Sequence, residues 1–421
     1  MKKRARLFAV AACAAMVVTA GCTVNIGGSR VPPAASDASP SVTASGVVTP
    51  GAVSATPTPA RTTAVPAGWP ALVSASRDGV VRLQVVGCNE NWVGTGFLVG
   101  DREILTAAHV ARGAVTISVR SDDGIVRADV VNYDLAADTA LLRARTSIAG
   151  HHFSLARRAA AEGTDIGVLG YAFGDTSVHL TRGIISDDRV KSVTYDGDDG
   201  FTVDSVVATD AAVNGGNSGG PVIDSSGAVV GLVSGQQNWS GDPSAVTPAQ
   251  GNNFIVPVAV VAAKYASWRS SRGSATAETC GDDPDSAVDP GVNLEVRIES
   301  HGADAEDVAT ALYVHADSIN RGLYSAAWSV FTPREQAHFN DDLAGWSAGL
   351  DTSYWTRIDV LRLTRSGDTV HAFVNFRTRQ DADYGPDNQT CSDWSMDYTM
   401  RLIAAVWRID GTHSLRAPAA C

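Results

Sequence analysis

Between Asn214 and Pro221 the chain reads Asn-Gly-Gly-Asn-Ser-Gly-Gly-Pro, so four glycines in six residues bracket Ser218. Glycine alone adopts φ > 0 without steric cost, and such a run codes for a tight turn, not for a helix or a strand. With no side chains in the way, the N–H groups of Gly216 and Ser218 can converge on one point. That is the arrangement that stabilises an oxyanion as it forms. A serine hydroxyl presented in this way needs a base before it becomes a nucleophile, so the rest of the chain has to supply a histidine and a carboxylate.

Both are present. Gly94-Thr95-Gly96-Phe97 is followed by Leu105-Thr106-Ala107-Ala108-His109 and then by Asp138-Thr139-Ala140-Leu141-Leu142. The chain order is His, Asp, Ser. With the serine loop, these fragments make residues 80–268 resemble the trypsin-like (chymotrypsin-fold) serine proteases of the HtrA/DegP-like branch. The resemblance implies an all-β fold of two six-stranded barrels with the site in the cleft between them. It also implies His109 as base, Asp138 as the carboxylate that orients it, Ser218 as nucleophile, and the Gly216 and Ser218 N–H groups as oxyanion hole. Asp134 is a rival carboxylate, but Asp138 directly precedes the apolar run 139–142, as the family's aspartate does. Gly215 stands where the family usually has proline, which gives the oxyanion loop extra freedom. Ala212, six residues before the serine, falls at the base of the first specificity pocket, with Leu232, Val233 and Ser234 as its wall. A base without a carboxylate predicts cleavage after small or medium apolar residues.

The strand pattern agrees with barrels. Short alternating or apolar runs at 80–86, 95–99, 103–106, 117–119, 125–131, 140–144, 166–171, 178–185, 203–209 and 229–233 predict strands separated by turns. Residues 256–268 predict a closing helix that starts at Pro257. The protease region is expected to span 69–268.

The amino-terminal segment has a basic start, an apolar run over 7–18 and small residues before Cys22. The run is too short to cross a bilayer, so it reads as an export signal. Small residues directly before a cysteine resemble a bacterial lipoprotein signal, although Thr19 replaces the usual apolar residue. Residues 1–21 are then a leader, and Cys22 is lipidated, anchoring the chain on the extracytoplasmic face of the membrane; plain secretion is the alternative. Residues 22–68, rich in Pro, Ala, Ser and Thr, cannot bury enough apolar surface to fold and predict a disordered tether. A net charge of −12 argues against a nucleic-acid partner. Four cysteines remain for an oxidising compartment, and of their three possible pairings Cys88–Cys280 with Cys391–Cys421 respects the domain boundaries. No histidine has metal-ligand spacing, and Asp196 to Gly200 is a turn without the ligand pattern of a calcium loop, so neither metal nor cofactor is expected.

A linker is expected over 269–300. Where HtrA-like chains carry a PDZ domain, its carboxylate-binding loop is missing. Residues 304–320 instead form an amphipathic helical pattern with Val308, Ala311, Leu312, His315 and Ile319 on one face. Helices over 324–330 and from Pro333 follow, then strands over 356–364, 370–378 and 394–408. Helices before a long antiparallel sheet, with the run from Ile319 to Trp328 and Trp407-Arg408-Ile409-Asp410, resemble the nuclear transport factor 2-like fold, an α+β cone, over 301–421. His315, Tyr324, Trp328 and His371 are expected in its core. The functional expectation is a serine endopeptidase acting on protein or peptide substrates, with a C-terminal regulatory or docking domain. The alternative is a non-catalytic cell-surface binding or sensor lipoprotein that uses the protease fold as a scaffold.

Overall fold

The computed structural model describes residues 68–421 except 89, 122–123, 196–199, 240–246, 276–277 and 283–293, and these lie in one compact unit, Thr63–Cys421. The leader, the tether, Cys22 and most of the acidic turn at Asp196 fall outside the described residues. None of the described helices is long and apolar enough to cross a membrane.

A short helix, α1 (Trp69–Ser76), precedes β1 (Val80–Val86), β2 (Asn91–Gly100) and β3 (Glu103–Thr106). One helical turn, α2 (Ala108–Ala111), leads to β4 (Thr116–Ser121), β5 (Gly124–Asp134) and β6 (Thr139–Ala144). These six strands close into a barrel in the order β1-β2-β3-β6-β5-β4. Alternate side chains point inward along each strand, so Leu83, Val85, Phe97, Leu105, Ile117 and Leu141 fill its interior. A second barrel follows from β7 (Asp165–Gly170), β8 (His179–Tyr195), β9 (Phe201–Thr209), β10 (Pro221–Asp224), β11 (Val229–Trp239) and β12 (Thr247–Pro257), closing as β10-β11-β12-β9-β8-β7. The closing helix α3 (Val258–Trp268) begins two residues later than the sequence predicts, because Val256 is still paired with Leu232 in the barrel.

The C-terminal part comprises β13 (Glu295–Ile298), the helices α4 (Ala305–Asn320), α5 (Tyr324–Ser329), α6 (Pro333–His338) and α7 (Leu343–Ala348), and the strands β14 (Tyr354–Ser366), β15 (Thr369–Arg379), β16 (Cys391–Ile403), β17 (Val406–Ser414) and β18 (Ala419–Ala420). Its sheet runs β13-β14-β15-β16-β17. Two expectations are corrected here. The tail of the expected linker, at β13, pairs in parallel with β14 and belongs to the sheet. The single strand expected over 394–408 is a hairpin that turns at Ala404 and Ala405, both in the left-handed region (φ 50° and 64°).

Helix α4 is the element on which this part is built. Its sequence suggests one apolar face, yet nearly every residue is buried. Val308, Leu312 and Ile319 join the sheet's core, which also takes in Val86 and Val115 from the first barrel. The opposite stripe carries Asp307 and Asp317, and both pair with barrel arginines. Disulfides join Cys88 to Cys280 and Cys391 to Cys421.

Buried within this core, His315 donates from Nδ1 to Ala327 O (3.0 Å) and lies among the rings of Phe331, Trp346 and Trp355. Burial pushes its imidazole down to about 4 from 6.5. The unfolded chain therefore binds a proton below about pH 6.5 that the folded chain refuses until about pH 4. Stability from this group is complete above pH 6.5 and falls, by about 3 kcal/mol in all, as the pH drops to 4. Urea unfolding followed by tryptophan fluorescence is expected to show this slope, reduced by about one proton in His315→Asn; an unchanged slope would refute the assignment.

Candidate active site

The loop after β3 and the turn before β6 bring His109 and Asp138 together. His109 lies in α2 with its ring partly exposed, whereas Asp138 is fully buried. The ring's Nδ1 sits 2.9 Å from Asp138 Oδ1 and 3.1 Å from Oδ2, and the His109 backbone N–H donates to Oδ1 at 3.1 Å. These contacts fix the proton on Nδ1 and leave Nε2 free to accept. Asp138 is held in left-handed backbone (φ 38°), which costs a non-glycine residue roughly 1–2 kcal/mol. Its N–H closes the turn onto Leu135 O (3.1 Å). Asp134 is engaged elsewhere: it caps Ala137 N–H and pairs with Lys264, whose ammonium holds the carboxyl below its ordinary range.

Ser218 comes from the second barrel, between β9 and β10. Its hydroxyl donates to Ser234 O at 3.4 Å and, among the described residues, makes no hydrogen bond to the His109 ring. Ser234 connects the parts, since its own hydroxyl donates to Asp138 Oδ2 at 2.6 Å. Tyr195 reaches the same hydroxyl (3.1 Å), and burial raises its phenol to about 12, so it stays protonated. Phe201 stacks on the His109 ring at 5.4 Å. An open cleft lies beside it, bounded by Trp92, His109, Arg112, Phe201 and Glu278.

The peptide groups around Ser218 are tied down carbonyl by carbonyl. Gly215 O accepts from Phe173 N–H (2.6 Å) and Asn217 O from Gly220 N–H (2.9 Å). In a trans peptide the N–H points opposite to the C=O, so the Gly216 and Ser218 N–H groups are directed away from those partners. Neither donates to another described group. Gly216 is required at its site twice over: its φ is 93°, and a Cβ there would collide with Tyr171 O. Thr95 clamps the loop from the first barrel, donating from Oγ1 to Gly216 O (2.6 Å) and from N–H to Ser218 O (2.9 Å).

The expected pocket wall needs correction. Leu232 and Val233 are fully buried in the barrel's apolar clusters and cannot line an open pocket, and the Ser234 side chain faces Asp138. The three residues lie too early on β11. Ala212 is exposed on the segment leading to the serine loop. Sequence reasoning missed the roles of Ser234 and Thr95. Ser234 is a single serine at the end of an apolar run and carries no local signal, whereas Thr95 lies in the Gly94-Thr95-Gly96-Phe97 run, which marks the residue but not its role.

The profile of the trypsin-like peptidase domain matches residues 94–232. Serine protease Rv3671c of Mycobacterium tuberculosis is 32% identical over 166 residues, 39% of this chain and 42% of that protein. The Bacillus subtilis serine protease Do-like HtrA is 36% identical over 142 residues, 32% of this chain and 30% of its own length. This chain thus spans less than half the length of these curated relatives. Among solved structures, the active form of the Rv3671c protease from M. tuberculosis aligns with a TM-score of 0.41 at 26% identity, covering 54% of this chain and 98% of that one.

Proposed function

We propose that this chain, which carries a trypsin-like peptidase domain and is related to HtrA/DegP-like serine proteases, is a serine endopeptidase acting on protein or peptide substrates. The observation that carries the reading is the buried Asp138 carboxylate, shared between the His109 ring and the Ser234 hydroxyl, with Ser234 O in turn accepting from Ser218. Catalysis on this reading requires Ser218 to turn about χ1 from Ser234 O toward His109 Nε2. Nε2 takes the proton as Oγ attacks the substrate carbonyl, and Asp138 stabilises the imidazolium that forms. The Gly216 and Ser218 N–H groups receive the oxyanion. On collapse of the tetrahedral adduct His109 gives its proton to the leaving amine, and water attacks the acyl-enzyme by the same route in reverse.

Ala212 offers no carboxylate to a basic side chain, and Tyr195 crowds the pocket side of the site: a Cβ on Gly235 would lie 2.9 Å from its ring. Both favour cleavage after small or medium apolar residues. The leader and Cys22 support an exported, lipid-anchored chain. Helices α4 to α7 ahead of β14 to β17 support a nuclear transport factor 2-like domain over 301–421, in a regulatory role. Treatment with a fluorophosphonate is expected to place one adduct on Ser218, located by mass spectrometry, and a peptide library should show Val, Ala or Leu before the cut. An intact wild-type Ser218 would sink the enzymatic reading and favour the scaffold; Arg or Lys at the cut would refute only the specificity.

Thr95→Val is nearly isosteric but removes the donor to Gly216 O and the acceptor for Tyr171 N–H (3.0 Å). The buried Tyr171 N–H and the half-buried Gly216 O then lose this hydrogen bond, at about 1–3 kcal/mol of stability. The loosened oxyanion loop is expected to lower kcat about tenfold with KM little changed. That is less than the 10²–10³ for deleting a donor outright. An unchanged kcat in steady-state assays would contradict the clamp.

A further inference from the structure

We infer that the C-terminal domain holds the oxyanion loop in shape through a buried arginine junction, in which Asp307 seats Arg82 and Arg120 on the carbonyls of the 171–176 loop. The inference rests on the endopeptidase reading and adds to it the means by which the C-terminal part acts on the site.

The 171–176 loop is what the oxyanion loop leans on. Phe173 N–H ties down Gly215 O, and Gly216 packs against the Tyr171 carbonyl and, at 3.0 Å for a built Cβ, the Gly174 nitrogen. Within the loop Gly174 N–H donates to Tyr171 O (3.0 Å) and Asp175 N–H to Ala172 O (3.1 Å), which closes one turn and leaves the Gly174 and Thr176 carbonyls to outside partners. Phe173 and Gly174 lie in left-handed backbone (φ 57° and 70°), and the Phe173 side chain is 73% exposed, so no packing of that ring anchors it. Strained backbone persists only where its surroundings over-determine it.

Here the surroundings are two arginines from the first barrel. Arg82 on β1 donates from Nη2 to Gly174 O (3.3 Å), and Arg120 on β4 donates from Nη2 to Thr176 O. Both are buried, Arg82 to 1% exposure. Two guanidinium groups out of water need a counter-charge nearby, or they drive the structure apart. Among the described residues every ion pair they make is to helix α4. Asp307 Oδ1 lies 3.1 Å from Arg82 Nη1 and accepts from Arg120 Nη1, while the more exposed Glu306 stands 3.5 Å from Arg120 Nε. The turn between β16 and β17 completes the seat. Ala405 O accepts from Arg82 Nη2 (3.3 Å), and Gly174 meets Ala405 so closely that a Cβ on it would lie 2.6 Å from the alanine methyl. Without Asp307 the two cations repel each other and leave the carbonyls for water. The loop then loses its fixed backbone, and Gly215 O its partner.

The test uses the full chain. Asp307→Asn keeps the shape and removes the charge. It is expected to lower kcat on an apolar-site peptide by about 10–100-fold with KM within about threefold. The Ki of the matching peptide aldehyde, whose hemiacetal places an oxyanion in the same position, should rise by the same factor. A merely destabilising change does not move those two quantities together while sparing KM. Ala405→Gly suits the left-handed turn better than alanine does, so it folds, and it deletes the contact with Gly174. It is expected to shift kcat and aldehyde Ki together by about 3–10-fold. If Asp307→Asn shows no cooperative unfolding transition, Ala405→Gly alone decides. Variants that keep both kcat and aldehyde Ki within twofold of an active wild type overturn the junction and leave the endopeptidase reading standing. A wild type that neither cleaves peptide nor binds aldehyde takes down both.

Discussion

Ser218→Ala is expected to reduce peptide turnover by roughly a million-fold, to the residual rate that binding and the oxyanion hole supply on their own. The fold has little stake in this hydroxyl. Its one described bond is a long one, 3.4 Å to Ser234 O, and the loop is held by backbone groups and Thr95 instead. The melting temperature should therefore stay within a degree or two of wild type, and the fluorophosphonate adduct should disappear. Turnover above about a thousandth of wild type would show that another nucleophile does the chemistry.

Asp138→Asn is the second large effect, at about 10⁴-fold in kcat. The carboxylate accepts from His109 Nδ1, His109 N–H and Ser234 Oγ, and with no exposed surface it has no water to substitute for them. An amide has one oxygen to accept with and an NH₂ that only donates. Wherever the NH₂ faces the ring, Nδ1 must become the acceptor and the proton moves to Nε2, the atom that has to take the proton of Ser218. The base is then blocked by its own tautomer while the shape of the site is kept. Stopped-flow acylation of the variant should be slow at every substrate concentration; a loss confined to KM would mean that Asp138 only shapes the cleft.

Much of the first 200 described residues could be read in advance because each piece announces itself locally. Glycine must occupy position 216 for backbone reasons, an apolar run follows Asp138, and alternation marks β1 and β6. What could not be read depends on partners far along the chain. Ser234 looks like any strand-end serine until β11 pairs with β12 and sets it against a carboxylate 96 residues earlier. The pocket wall was misplaced because burial along β11 is a matter of register, and nothing in Leu232-Val233-Ser234 states where the strand leaves the core. The β16–β17 hairpin reads as one strand in the sequence because its turn is Ala-Ala, where such turns normally show glycine or asparagine. Nothing in the sequence sets Asp307 and Asp317 apart from ordinary helix-surface acids. Only the fold reveals that a barrel covers that surface and that arginines wait beneath.

Helix α4, enclosed by barrel on one side and sheet on the other, also sets an order of events. Ribosomes make the amino end first, so Ser218 emerges while residues 305–320 do not yet exist, and Arg82 and Arg120 stand without their counter-ion. A nascent or truncated product would then bear the full set of reacting groups and still cleave poorly, latent until helix α4 has docked on the barrel arginines.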